Sequence, residues 1–234
     1  MIELKNVAKN YGLSALGLYS ESAIINTGEI VGILGENGSG KTTMLKAIMG
    51  LCDIQYGEIL IDGRPVFEQY DRMAFITCEG SYFPNMTPYE YGNFLAEFFP
   101  SFDMDRYWNL IKFFDLDYLK KIKTFSAGQK AKLEVSAGFS KGAKYILMDE
   151  PFLGSDMFTR RDFLKLLVSD FREDETILIS THFIDEIENI IDRAIILRYG
   201  RIKADFYIDD IKNQGKTLAD IMTEVKKVLS KSKT

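Results

Sequence analysis

Cysteine is nearly absent from this sequence: Cys52 and Cys78 are the only two in 234 residues, and their separation matches no metal-ligand spacing. A disulfide-stapled scaffold is thereby excluded, and a reducing cytosol is the expected compartment. Basic charge is not in excess either. Lys and Arg number 29 against 34 Asp and Glu, with a pI near 5.1, so no broad attraction to nucleic acid or anionic lipid is expected. The expected partners are proteins and a nucleotide. Long apolar runs are missing too: stretches such as Tyr145-Ile146-Leu147-Met148 fall far below the roughly 18 residues that span a bilayer. Any membrane role therefore calls for a separate membrane subunit. The opening Met1-Ile2-Glu3-Leu4-Lys5 lacks the order of a secretory signal.

What the chain does have is a phosphate cradle. Gly35-Glu36-Asn37-Gly38-Ser39-Gly40-Lys41-Thr42-Thr43 follows the apolar run Ile30-Val31-Gly32-Ile33-Leu34 and precedes the helix-like Met44-Leu45-Lys46-Ala47-Ile48-Met49. A strand entering and a helix leaving are what the chemistry needs, because backbone N–H groups must converge on phosphate oxygens at a helix N-terminus. Lys41 is then placed to reach the β- and γ-phosphates, and Thr42 a magnesium ion.

Around the cradle the length fits one large α/β domain with a substantial core. Residues 2–31 alternate as antiparallel strands with turns at Asn10-Tyr11-Gly12 and Thr27-Gly28-Glu29. Ile59 to Pro65 reads as a strand and turn, Ala74 to Thr77 as a short strand. Thirteen of the thirty aromatics then fall between Tyr82 and Tyr118 at helix-compatible spacing, which predicts a mostly helical insertion whose aromatics form its own core, with a docking groove as the alternative. Ser126 is placed to cap a helix beginning near Ala127. The buried-strand run Tyr145 to Met148 ends in Asp149-Glu150, and Thr176 to Ser180 ends at Thr181-His182, the single histidine. Acids and an imidazole at the carboxyl ends of core strands should face the crevice that holds the ligand. Thr159 to Asp162 has the form of a capping box, Phe183 to Ile191 reads as a helix, and the chain closes with a hairpin around Tyr199-Gly200 and a helix over Thr217–Leu229 capped by Thr217 and Asp220.

The cradle, Phe125-Ser126-Ala127-Gly128-Gln129, Tyr145 to Glu150, Gly154-Ser155-Asp156 and Ser180-Thr181-His182, in that order, give residues 2–204 a pattern that resembles the ATP-binding subunit of an ABC transporter. The resemblance implies an α/β fold: a P-loop NTPase core with a mixed, largely parallel sheet, an N-terminal antiparallel β subdomain and an inserted helical subdomain. As one cassette over 1–234, it would have its core at 1–78 and 145–204, the helical subdomain at about 79–144 and a C-terminal helix at about 217–229. It also implies an ATPase using ATP and Mg2+. Tyr11 corresponds to the adenine-stacking aromatic, and Gly35, Asn37, Gly38, Ser39, Gly40, Lys41, Thr42 and Thr43 belong to the phosphate loop. Thr42 and Asp149 would hold the metal, Glu150 would be the general base, and His182 would contact the γ-phosphate. Ser126 and Gly128 would close over ATP held by the opposite subunit of a homodimer or heterodimer, and Asp156 would lie in the loop linking the two sites. The partner is a transmembrane permease and the place a cytoplasmic one at the inner face of the membrane.

Three departures stand out. No glutamine occurs near Cys78-Glu79, Ala127 replaces the middle glycine of the signature, and Ser155 the usual leucine before Asp156. The pattern Phe83-Pro84-Asn85-Met86-Thr87 with Phe98 to Asp103 is similar to subunits of bacterial exporters, which implies drug or antimicrobial export. A soluble ATPase of the same superfamily, acting in iron–sulfur cluster assembly or nucleic-acid maintenance, is the alternative. Long coiled-coil insertions or a basic face would favour it, and neither is present.

Overall fold

The computed structural model describes residues 1–12, 16–77, 80–151, 153 and 156–230. Cys78, Glu79, Gly154 and Ser155 lie outside the described residues, as do the side chains of Val228 and Leu229. The N-terminal part is β1 (Ile2–Asn10), β2 (Leu16–Ile25), β3 (Ile30–Leu34), α1 (Lys41–Ile48), β4 (Tyr56–Ile61), β5 (Arg64–Pro65) and β6 (Met73–Thr77). Next come α2 (Pro88–Phe98), α3 (Met104–Phe113) and α4 (Ala127–Phe139). The remainder is β7 (Tyr145–Asp149), α5 (Met157–Ser169), β8 (Thr176–Thr181), α6 (Ile184–Ile187), β9 (Arg193–Arg198), β10 (Arg201–Tyr207), α7 (Ile208–Asn213) and α8 (Leu218–Ser230).

Two sheets result. β2-β1-β4-β5 is antiparallel, and β10-β9-β3-β8-β7-β6 is parallel except for its last hairpin, β9 with β10. The strands at the middle of the second sheet are apolar on both faces, as Ile30 to Leu34 and Tyr145 to Met148 show by being buried throughout, which is the mark of a parallel sheet covered on both sides. One apolar core lies between the two sheets around α1. The other lies between the parallel sheet and the helices, where it takes in Tyr91, Tyr107, Phe114, Phe125 and Phe139.

The inserted helices are capped as their sequences direct: Thr87 with Glu90 and Ser126 with Gln129 form reciprocal capping boxes, and Asp103 caps α3. The Tyr107 hydroxyl donates to the Pro88 carbonyl at 2.8 Å and ties α3 to α2. Of the aromatics of this insertion, Tyr91, Tyr107 and Phe114 are buried, while Phe83, Tyr89, Phe98 and Tyr118 are exposed. Glu134 of α4 is buried and accepts from the Ser81 amide at 2.8 Å and the Ser81 hydroxyl at 2.9 Å. Burial raises its carboxyl above the ordinary glutamate value.

Arg106 anchors the insertion to the parallel sheet. It is 3% exposed and donates to the Asp170 carboxylate at 2.6 Å, the Phe139 carbonyl at 2.9 Å and the Asp170 carbonyl at 2.8 Å, besides pairing with buried Glu175. The C-terminal α8 packs Leu218 and Met222 into the core, receives a cap from Glu188 at 2.8 Å, and sets Lys226 3.0 Å from Glu36 in the cradle. Two boundaries and one helix differ from the sequence expectations. α5 begins at Met157 because Asp156 is its cap, accepting from the Thr159 amide at 2.8 Å, so Thr159 lies inside the helix. α6 ends at Ile187 because Ile191-Asp192 is drawn into pairing with the sheet, the Asp192 amide donating to the Ile30 carbonyl at 2.8 Å. The short α7 carries no strong signal of its own.

Arg106→Ala should destabilise the chain by about 3–5 kcal/mol, since Glu175 is left as a buried uncompensated charge. Urea unfolding measures this, and a loss below about 1 kcal/mol would show the pair to be dispensable. Glu134 titrates the other way from a salt-bridged acid. Its folded value is raised, so stability is highest below the unfolded value and falls as pH rises through the folded one. Glu134→Gln should flatten that fall, and an unchanged slope of unfolding free energy between pH 4 and 8 would refute it.

Candidate active site

Parallel pairing decides what meets what. β3 pairs with β8 so that Leu34 faces Thr181, and β7 pairs with β8 so that Asp149 faces Ser180. The chain therefore leaves β3, β7 and β8 at one edge of the sheet, where the cradle, Glu150 and His182 converge.

The cradle wraps the start of α1. Its cap is Gly40, at φ 109°, which has no side chain to bond the first-turn N–H groups, so these stay available to an anion. Only glycine fits there, since a Cβ at Gly40 would lie 2.4 Å from the Gly17 carbonyl oxygen. Gly17 in turn lets Tyr11 approach the loop: a Cβ there would meet Thr43 at 2.7 Å and the Tyr11 ring at 3.0 Å. Tyr11 itself is 52% exposed beside the cradle, and Lys9 lies over its ring at 5.0 Å. Ser39 Oγ is buried with no hydrogen-bond partner among the described residues.

Lys41 is buried and its ammonium donates to the Gly35 carbonyl at 2.9 Å. It also lies 3.1 Å from Glu150 Oε1, while His182 Nδ1 lies 2.9 Å from Glu150 Oε2. One carboxylate thus joins the cation of the cradle to the histidine of the next strand. Glu150 has φ 46°, a left-handed conformation costing of order 1–3 kcal/mol in a non-glycine residue. It is held by its own amide, which donates to Ser180 Oγ at 3.0 Å and the Ser180 carbonyl at 3.1 Å. Asp149 Oδ1 accepts from the Thr42 hydroxyl at 2.9 Å and from the Ser180 hydroxyl at 2.6 Å. His182 stacks on Phe183 with ring centroids 4.1 Å apart, and Arg160 covers Phe183 at 4.7 Å.

Asn37 to Thr43 and Glu150 line a cleft of about 210 Å³. A buried ammonium, open helix N–H groups and an orphaned hydroxyl make this a site for a polyanion. The Thr42 hydroxyl and Asp149 carboxylate are hard oxygen donors, the kind Mg2+ takes, so the donor set fits that ion. The structure thus brings Tyr11, the cradle, Asp149, Glu150 and His182 together within one chain. It does not bring Ser126 and Gly128 to them. Ser126 is bonded to Gln129 in its own capping box, and Gly128 has Thr159 and Asp156 as neighbours. Ser180, which touches both acids, enters the sequence pattern only as the neighbour of Thr181-His182, with nothing in the sequence to mark its hydroxyl as a link between the acids.

Against known proteins, the family model described as ABC transporter matches residues 20–153. The ABC transporter ATP-binding protein YtrB of Bacillus subtilis (strain 168) is 31% identical over 220 residues, covering 92% of this chain and 74% of that protein. The lipopolysaccharide export system ATP-binding protein LptB of Haemophilus influenzae is 30% identical over 219 residues, covering 87% of this chain and 89% of that protein. A solved ATP-binding subunit of an ABC transporter superposes with a TM-score of 0.84 at 26% identity, over 97% of this chain and 99% of that one. The fold is the mixed α/β fold with an antiparallel β subdomain that these cassettes share, and the chain belongs to the ABC transporter family as one of its ATP-binding ATPase cassettes.

Proposed function

We propose that the chain binds ATP in the cleft over Gly35 to Thr43 and hydrolyses it, as one of two subunits of a dimer, to drive a separate transmembrane permease. The observation that carries this is that Glu150, in the wall of the cleft, contacts both Lys41 and His182, with Thr42 and Asp149 bonded to each other beside them. Tyr11 stacks on the adenine. Lys41, the α1 N–H groups and the Ser39 hydroxyl hold the phosphates. Thr42 and Asp149 would hold Mg2+, which when bound supplies positive charge to the phosphate oxygens.

Glu150 accepts the proton of the attacking water, and His182 orients the γ-phosphate while steadying the carboxylate through Nδ1. Phosphate oxygens bound by Lys41 compete with Glu150 for the same ammonium, so nucleotide binding frees Oε1 to act on water. Ser126 and Gly128, lying outside their own chain's cleft, complete the opposite subunit's site with the N-terminus of α4. We read the chain as a core of 1–78 and 145–204, a helical subdomain of about 79–144 and a C-terminal helix of about 217–229, an arrangement in which the helical part carries Ser126 and Gly128 to the opposite subunit. Among the described residues no helix is long and apolar enough to cross a membrane; in this reading the permease supplies the path and the cassette acts from the inner face. For direction and cargo we favour export of a drug or antimicrobial, supported by the Phe83 to Thr87 pattern and by the relative named for lipopolysaccharide export.

Glu150→Gln should lower ATP turnover by about 10²- to 10⁴-fold, because water activation is lost while the binding groups remain. The same variant should run as a dimer in gel filtration with ATP. Turnover within a few-fold of the unaltered chain would defeat the role given to Glu150. Affinity purification from membranes should recover a multi-spanning protein with this chain; recovery of a wholly soluble complex instead would defeat the coupling to a permease.

A further inference from the structure

We propose that Ser180 is a positioning residue of the hydrolytic site: its hydroxyl ties Asp149 to Glu150 and sets the direction of both acids. This rests on the roles given above to those two residues. Ser180 is fully buried near the end of β8, in the run Thr176-Ile177-Leu178-Ile179-Ser180-Thr181 whose residues are all buried. An apolar side chain would satisfy packing at such a position, and a buried hydroxyl is tolerated only where it is bonded. Here it is bonded twice, and each partner is a site acid. It donates to Asp149 Oδ1 at 2.6 Å and accepts from the Glu150 amide at 3.0 Å.

The two bonds act on different things. Asp149 Oδ1 also accepts from Thr42 at 2.9 Å, so two hydroxyls, one from the cradle and one from β8, fix the rotation of that carboxylate. The bond to the Glu150 amide holds the left-handed turn, φ 46°, that carries the Glu150 side chain from the end of β7 to Lys41 and His182. The register of β7 on β8, Asp149 opposite Ser180, makes both contacts possible at once. Removing the hydroxyl leaves the strand intact and takes one bond from each acid, Asp149 keeping the Thr42 hydroxyl and the Glu150 amide keeping the Ser180 carbonyl. Ser180 touches neither the nucleotide cleft nor the phosphates, so its effect must pass through Asp149 and Glu150.

Threonine and valine have the same shape and differ at this position only in the hydroxyl, so Ser180→Thr and Ser180→Val in the full chain form the test. Turnover, KM for ATP, unfolding midpoint and the Mg2+ concentration for half-maximal binding of a fluorescent ATP analogue are measured for each. Ser180→Val should lower kcat about 10- to 100-fold and raise the Mg2+ requirement about 10-fold, with KM for ATP within about threefold, while Ser180→Thr stays within about threefold on every measure. Thr and Val falling together, or Val keeping turnover within about threefold, overturns the proposal. Should Ser180→Val not fold, Ser180→Ala against Ser180→Thr is judged by the same limits. Glu150→Gln run alongside separates the failures. Surviving turnover there defeats the assignment of the base, whereas an inactive Glu150→Gln beside an active Ser180→Val defeats the Ser180 proposal alone.

Discussion

The parallel pairing of β3, β8 and β7 is the constraint on which the rest of this molecule depends. Because the three strands run the same way and in fixed register, their carboxyl ends deliver a glycine loop, two acids and a histidine to one edge without any long excursion of the chain. The apolar content of those strands is what permits this. A sheet buried on both faces tolerates no slip, since a shift of one residue would turn every side chain to the other face. Precision at the edge is thus a by-product of packing in the middle.

The helical insertion obeys a different rule. Its helices are set locally, by caps at Thr87, Asp103 and Ser126 and by aromatics that pack on one another. Its attachment to the sheet is a shared apolar core, in which Tyr107, Phe125 and Phe139 are clustered with Ala74, Ile76, Ile146 and Met148, reinforced by a few polar links. Arg106 ties α3 to the segment after α5, and Glu134 ties α4 to Ser81 at the end of the connection from β6. Such links are strong when fully bonded and costly when broken, so they add a defined direction to the seat that the apolar core provides.

What could be read from the sequence follows the same division. The cradle, the Ser126 cap, the acids after Tyr145 to Met148 and the hairpin at Tyr199-Gly200 were legible because each is a local pattern whose chemistry is written in adjacent residues. The role of the Ser180 hydroxyl was not, because it depends on a partner 31 residues away on the neighbouring strand. Thr159 misled for a related reason. It is a good capping residue, yet Asp156 lies one turn earlier with its carboxylate bonded to the Thr159 amide, and the first competent cap takes the helix. The shortness of α6 is a tertiary effect, imposed by β9 rather than by any breaker in Phe183 to Ile191.

The bare glycine at the start of α1 has a thermodynamic side. A helix whose first N–H groups find no side chain has an unfinished end, and whatever anion completes it contributes to the stability of the fold as well as to its own binding. Folding and occupancy of this loop are then linked equilibria. A cassette that has lost its nucleotide is also a cassette held together less firmly.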